Sequence, residues 1–330
     1  MDETYKALTK GQHVGLKPFI PGWADVQPRL KTDKMIVVNT GTNGGKTTFA
    51  WLFARSVVEQ GHRCVYFSFE TPVSEIVSRE FATLADVDTS VIDGGIYYIT
   101  NSEGVRERRI LVPETLSNVR EVHNKWMASV TSRFEPYDAV SMSLAEIIAV
   151  VKSARARSDI EGIETWVVID YLQATLYSQF SQDQTAGTNA AANWVKNSIH
   201  GELGVGVLVM SQGQDDPMNW MPRFGNDIKN RAQVFIHILR LPAKEDEFAF
   251  EFDENGWIFD PQTGSRIPVR DRFGNHRKIA PKGVRNSAYA ELHILKAKGA
   301  GAIVPIYMPN DRLEISGSFE DMKPKGWGEK

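Results

Sequence analysis

The residues with the clearest chemical potential crowd into one turn, Gly41-Thr42-Asn43-Gly44-Gly45-Lys46-Thr47-Thr48. Its glycines let the backbone curl so that successive N–H groups point inward, and such a nest at a helix N-terminus holds an anion. Lys46 adds a point charge that reaches terminal phosphates, and the Thr47 hydroxyl stands where it can hold Mg²⁺. The flanks supply the necessary supports. Met35 to Val38 read as a buried strand before the turn, and Phe49, Trp51, Leu52 and Phe53 open a helix after it. The stretch therefore predicts a phosphate-binding loop in which Thr42 to Thr48 line a bound nucleotide. It fits the pattern G-x-x-x-x-G-K-[ST] except at its first position, which is Thr40 followed by Gly41.

Three further groups stand where apolar runs end. Arg63-Cys-Val-Tyr-Phe-Ser-Phe-Glu70 closes on a carboxylate able to polarise an attacking water; the alternative is an acid of a helix N-terminus ahead of Pro72. Thr165-Trp-Val-Val-Ile-Asp170 closes on a carboxylate suited to Mg²⁺ or its water shell, and Val205 to Met210 runs into Ser211-Gln212, a neutral amide that can sense a γ-phosphate. In an open parallel sheet these ends share the ligand-binding edge. Beyond them, the loop Gly213 to Asp227 interleaves Trp220, Arg223, Phe224 and Gly225, which suits single-stranded nucleic acid or, equally, pins the loop to its own core.

The elements that must position these groups alternate strand and helix, so the expected fold is α/β, a phosphate-loop NTPase core with a mainly parallel sheet flanked by helices. Helices are expected over Ser74 to Leu84, Thr115 to Phe134, Ser143 to Arg157 and Ala190 to Leu203, with a hairpin near Tyr97 and Ile110. Residues 1–30 read as a short punctuated arm, 31–317 as the ATPase domain with a β-hairpin insertion at 248–282, and 318–330 as a tail. Near the end, a basic turn Lys296-Ala-Lys298-Gly299 joins two strands.

Composition narrows the class. The 330 residues are 42% hydrophobic, enough for a sizeable core, and no apolar run approaches the ~18 residues that span a bilayer. With no apolar signal segment either, the expectation is a cytoplasmic protein with no membrane partner. The single cysteine, Cys64, lies in an apolar run and excludes disulfide or zinc-cluster chemistry. A net charge of −3 excludes a surface coated in positive charge while leaving room for a local basic channel.

Taken in order, Tyr66-Phe-Ser-Phe-Glu70 with Arg79 nine residues on, Val168-Ile-Asp170-Tyr-Leu-Gln173 and Val209-Met-Ser-Gln212 resemble the ATPase domain of DnaB-type hexameric replicative helicases, a RecA-like branch of phosphate-loop NTPases. The resemblance covers most of residues 12–317. It implies ATP and Mg²⁺ as cofactors, Lys46 and Thr47 as phosphate and metal ligands, Glu70 as catalytic carboxylate and Arg79 as a supporting cation beside the nucleotide. It further implies Asp170 on the Mg²⁺ side and Gln212 as the switch coupling the γ-phosphate to DNA-binding loops. Arg223 and Gly225, with Phe224 between them, match the central-channel loop, and Lys296 and Lys298 match the basic pair that enters the neighbouring subunit's site. The implied activity is ATP-driven 5′ to 3′ translocation on single-stranded DNA by a homo-hexamer, with primase or a helicase loader as further partners; a non-helicase DNA motor, recombinase or packaging ATPase on the same core, or a nucleotide-gated DNA-binding module, are the alternatives. Two departures stand out: Lys298 replaces the family's finger arginine, and the family's helical N-terminal domain has no counterpart here. A compact helicase of this kind suits a viral or mobile-element replication module acting in a host cytoplasm.

Overall fold

The computed structural model describes residues 15–85, 132–173, 176–213, 226–242, 286–296, 301–308 and 313–315, with short pieces at 92, 96–100, 106–110, 117, 120–122, 124–125, 222, 249–250 and 278–279. A short helix α1 (Pro21–Val26) precedes strand β1 (Met35–Thr40) and helix α2 (Lys46–Glu59); β2 (Arg63–Ser68) and α3 (Val73–Ala85) follow. Then come β3 (Ile96–Thr100), β4 (Arg106–Ile110), β5 (Phe134–Asp138), α4 (Leu144–Glu161) and β6 (Thr165–Asp170). Helix α5 (Gln184–Trp194) continues into a π-helical stretch, Val195–Gly201, ahead of β7 (Gly206–Gln212), α6 (Asn226–Arg231) and β8 (Val234–Pro242). The short β9 (Ala249–Phe250) and β10 (Lys278–Ile279) pair with each other, and β11 (Asn286–Lys296) and β12 (Ala302–Tyr307) complete the order.

Eight strands form one sheet in the order β12-β11-β8-β1-β7-β6-β2-β5. The six from β8 to β5 are mutually parallel, and β11 and β12 add antiparallel pairs at one edge. The central strands β1, β2 and β6 are buried on both faces, as their near-continuous apolar runs require. On one face α2 covers Ile36, Val38, Tyr66, Val168 and Met210; on the other α4 and α5 cover Val37, Phe67, Val167 and Val209. The Ser143–Glu146 capping box starts α4, and Gly162, at φ 68°, ends it.

Three expectations are revised. The helix expected through Phe134 stops earlier: Phe134 opens β5, which pairs in parallel with β2. Pro136 and the acids Glu135 and Asp138 hide this strand in the sequence, yet an edge position tolerates both. Asp138 then accepts from Val73 N at 2.7 Å and fixes the start of α3. The expected arm also belongs to the core over its second half, since Leu16, Ile20, Trp23 and Leu30 are 0–1% exposed. Leu16 bridges Leu30, and the rings of Trp23 and Phe19 close on Phe49 of α2 at 6.0 and 5.2 Å. Finally, α5 begins six residues before the expected Ala190, at Gln184, capped by Asp183. The hairpin near Tyr97 is present as the β3–β4 pair, and within the expected insertion β9 pairs with β10; its remaining residues, 248, 251–277 and 280–282, and the tail 318–330 lie outside the described residues.

Candidate nucleotide site

The phosphate loop connects β1 to α2 at the C-terminal edge of the parallel strands. Asn43 and Gly45 both have positive φ, 56° and 89°. Gly44 N turns back to Gly41 O at 3.1 Å, and the first helical bond runs from Phe49 N to Gly45 O at 2.9 Å. Lys46, Thr47 and Thr48 therefore present N–H groups with no partner within the helix, which is the anion-binding arrangement. Tight packing explains the glycines: a Cβ on Gly44 would sit 1.8 Å from Thr40 Oγ1, and one on Gly45 2.5 Å from Met308 Sδ. Gly41, by contrast, faces open space.

Because α2 packs on the face that also carries Asp170, Lys46 and Thr47 begin the helix directly beside that carboxylate. Burial lowers the Lys46 pKa, while the negative charges of Asp170 and Glu70 oppose the shift. The Lys46 ammonium also lies 5.0 Å from the centroid of the Tyr171 ring. Asp170 is 2% exposed, and burial raises its pKa against the hydrogen bond from Tyr66, the Thr47 hydroxyl and the charge of Lys46. Its Oδ2 accepts from Tyr66 Oη at 2.6 Å, whereas Oδ1 is buried without a hydrogen-bond partner. An orphaned carboxylate oxygen beside a threonine hydroxyl and a lysine fits Mg²⁺, which takes one or two protein oxygens and completes its shell with phosphate and water. Among the described residues there is no cluster of three or more His, Cys, Asp or Glu able to hold a metal.

Gln212 joins the loop from the end of β7. Its Nε2 donates to Thr42 Oγ1 at 3.0 Å, and its own N–H donates to Gln173 Oε1 at 3.1 Å. Gln173 Nε2 in turn reaches Ser211 Oγ at 2.8 Å, so the end of β6 is stitched to the end of β7. Gly213 N donates to Thr40 O at 2.7 Å and Gly213 bridges Pro222, which ties the following loop to the phosphate loop at its root. Glu70 is exposed just beyond β2, close enough for its charge to act on Lys46 and Asp170.

The structure thus gathers Thr42 to Thr48, Glu70, Asp170 and Gln212 at one edge. Arg79 is placed differently, on the exposed side of α3 in an i,i+4 pair with Glu75. Lys296 ends β11, its backbone opposite Phe235 of β8, while Lys298, Trp220, Arg223, Phe224 and Gly225 lie outside the described residues. Sequence reasoning passed over Tyr66 and Gln173 as site residues, although both stand inside the quoted motifs. It also passed over Arg240, whose guanidinium donates to Met308 O beside Gly45 and whose pKa burial lowers to about 10.

A family model described as the DnaB-like helicase C terminal domain matches residues 28–217, more than half of the chain. The chain belongs to that family. The replicative DNA helicase DnaB of Haemophilus influenzae is 24% identical over 250 residues, 71% of this chain and 48% of the relative, so the DnaB-like chain spans about half the length of the curated relative it matches. Among solved structures, a DnaB-like replicative helicase studied with its primase interactions superposes with a TM-score of 0.65 at 15% identity, covering 95% of this chain and 65% of that one. A KaiC-like protein from Pyrococcus horikoshii gives 0.53 at 12% identity, over 92% and 97% of the two chains. At such identities these two likenesses speak for the fold, a RecA-like ATPase core with a mainly parallel sheet. Among the described residues, no helix is long and apolar enough to cross a membrane.

Proposed function

We propose that the DnaB-like chain is an ATP-hydrolysing helicase motor that couples turnover to 5′ to 3′ movement along single-stranded DNA. What carries this reading is the double attachment of Gln212: its side chain holds Thr42 of the phosphate loop, and its backbone leads directly into the loop rooted by Gly213 and Pro222. A displacement of Thr42 by an arriving γ-phosphate therefore acts first on the residue from which that loop departs. In this account the loop's N–H groups and Lys46 hold the phosphates, and Thr47 and Asp170 hold Mg²⁺. When bound there, Mg²⁺ would supply positive charge against the phosphates. Glu70 orients the attacking water and accepts its proton, with its exposed position leaving room for that water.

Arg223, Phe224 and Gly225 are assigned to DNA contact, with the guanidinium and backbone N–H groups meeting phosphates. Lys296 and Lys298 are assigned to the neighbouring subunit's nucleotide in a ring, six subunits being the expected number. Arg79 is kept as a supporting cation only after leaving Glu75. Residues 31–317 are assigned to one ATPase unit, with 248–282 as an insertion. The setting is the cytoplasm, with a primase or loader as further partners. Fork-unwinding assays with either a 5′ or a 3′ tail test the proposal. ATP-dependent opening of the 5′-tailed fork is expected, and DNA-stimulated hydrolysis without unwinding of either fork would instead indicate a translocating motor of another kind.

A further inference from the structure

Tyr66 and Asp170 come from strands that lie side by side, β2 and β6. Tyr66 stands opposite Val168, so Asp170 is two residues further along on the same face. Around Tyr66 on that face, Cys64, Trp166 and Val168 are 0% exposed, as is Tyr66 itself, and the buried hydroxyl of Ser68 is already given to Thr71 O. A buried phenol needs a partner for its hydroxyl, and here the partner is Asp170 Oδ2 at 2.6 Å. The ring has little freedom to choose another. Trp51 meets it edge-on at 5.3 Å and 80°, Phe134 packs at 6.4 Å and 66°, and Trp51 is anchored by its Nε1–H to Glu80 Oε2 at 2.9 Å.

One tied oxygen on so short a side chain determines where the other points. Asp170 Oδ1 is buried without a hydrogen-bond partner, beside Lys46 and the Thr47 hydroxyl. An oxygen left so is costly unless a ligand completes it. We propose that Tyr66 is a positioning residue that ties Asp170 Oδ2, so that Oδ1 alone is presented to the magnesium ion of bound nucleotide. The inference rests on the reading of Lys46, Thr47 and Asp170 as a Mg²⁺–nucleotide site. Its chemistry is that of an outer-shell partner, which orients a metal ligand without touching the metal.

Tyr66→Phe removes only the oxygen and keeps the ring contacts with Trp51 and Phe134. Binding of a fluorescent, non-hydrolysable ATP analogue is measured in EDTA and across a MgCl₂ titration, with thermal unfolding of the ligand-free variant as the check on folding. The expected result is a roughly ten- to hundredfold rise in the half-saturating Mg²⁺ concentration, with affinity in EDTA unchanged. In an Asp170→Asn background, adding Tyr66→Phe should leave the Mg²⁺ dependence where Asp170→Asn alone put it. An unaltered Mg²⁺ titration in Tyr66→Phe, or an equal loss of affinity with and without Mg²⁺, would overturn the positioning role. Wild-type protein that fails to bind the analogue under any condition would overturn the nucleotide site itself, and the two failures are distinct.

Discussion

Replacing Gly44 by alanine places a methyl group where the phosphate loop has no room for one. The new Cβ would lie 1.8 Å from Thr40 Oγ1, 2.9 Å from Thr40 Cβ and 2.9 Å from Gly41 O. An ordinary contact requires a retreat of roughly 1.5 Å from the hydroxyl. Rotating the Thr40 side chain does not supply it, because Thr40 is fully buried, stiff at χ1, and its Cβ is itself too close. The loop must move, at a cost of about 1–3 kcal/mol in stability by the usual measure of overpacking. Moving it also misaligns the N–H groups of residues 46–48, and a tenfold weaker Kd for nucleotide, about 1.4 kcal/mol, is the least that should result. Thr40→Gly tests the cause, since it deletes two of the three close contacts and no hydrogen bond of Oγ1, which has none. In the double variant nucleotide affinity should largely return, while glycine in the strand keeps a cost of about 0.5–1 kcal/mol. Denaturant unfolding and a fluorescent-nucleotide titration read both quantities. Wild-type affinity in Gly44→Ala, or no recovery in the pair, would refute the steric account of the loop.

Other expectations concern coupling, assembly and pH. Gln212→Ala loses the 3.0 Å bond to Thr42 and should bind ATP much as wild type does, yet respond far less to single-stranded DNA in an ATPase assay; equal losses of both would make Gln212 a simple nucleotide ligand. If Lys298 serves the adjoining subunit, ATPase per subunit should rise with protein concentration, Lys298→Ala should abolish the rise, and mixing it with Lys46→Ala subunits should restore part of the turnover. Burial holds the His200 imidazole below its ordinary pKa, so the unfolded chain binds the proton first. The stability this confers is complete above pH ~6.5 and lost as pH falls towards the lower folded value. Melting temperature should therefore decline on acidification below that point, and less steeply in His200→Gln; identical slopes would show that other groups govern the decline.

The central strands were legible because each is an apolar run that stops at a residue with chemistry: Thr40 before the glycines, Glu70 just past Ser68, Asp170, and Gln212. Their shared edge follows from parallel topology alone. β5 was not legible, since Pro136 and its flanking acids resemble a turn and only pairing with β2 makes them a strand. Nor was the burial of Leu16 and Trp23, because glycines and prolines interrupt any periodicity there while α2 and β12 supply the surface they fill. The Tyr66–Asp170 bond joins residues 104 apart in the chain and depends on register, which no local pattern encodes. Arg79 is the opposite case, a residue singled out by motif spacing that the structure pairs with Glu75 on the surface of α3.

Steady-state ATP hydrolysis by the wild-type chain, with and without single-stranded DNA and alongside Lys46→Ala, is the measurement closest to the central claim. The account predicts Mg²⁺-dependent turnover that rises several-fold or more with DNA and disappears in Lys46→Ala. Turnover that survives the loss of Lys46, or that is indifferent to DNA at every concentration tried, would contradict it.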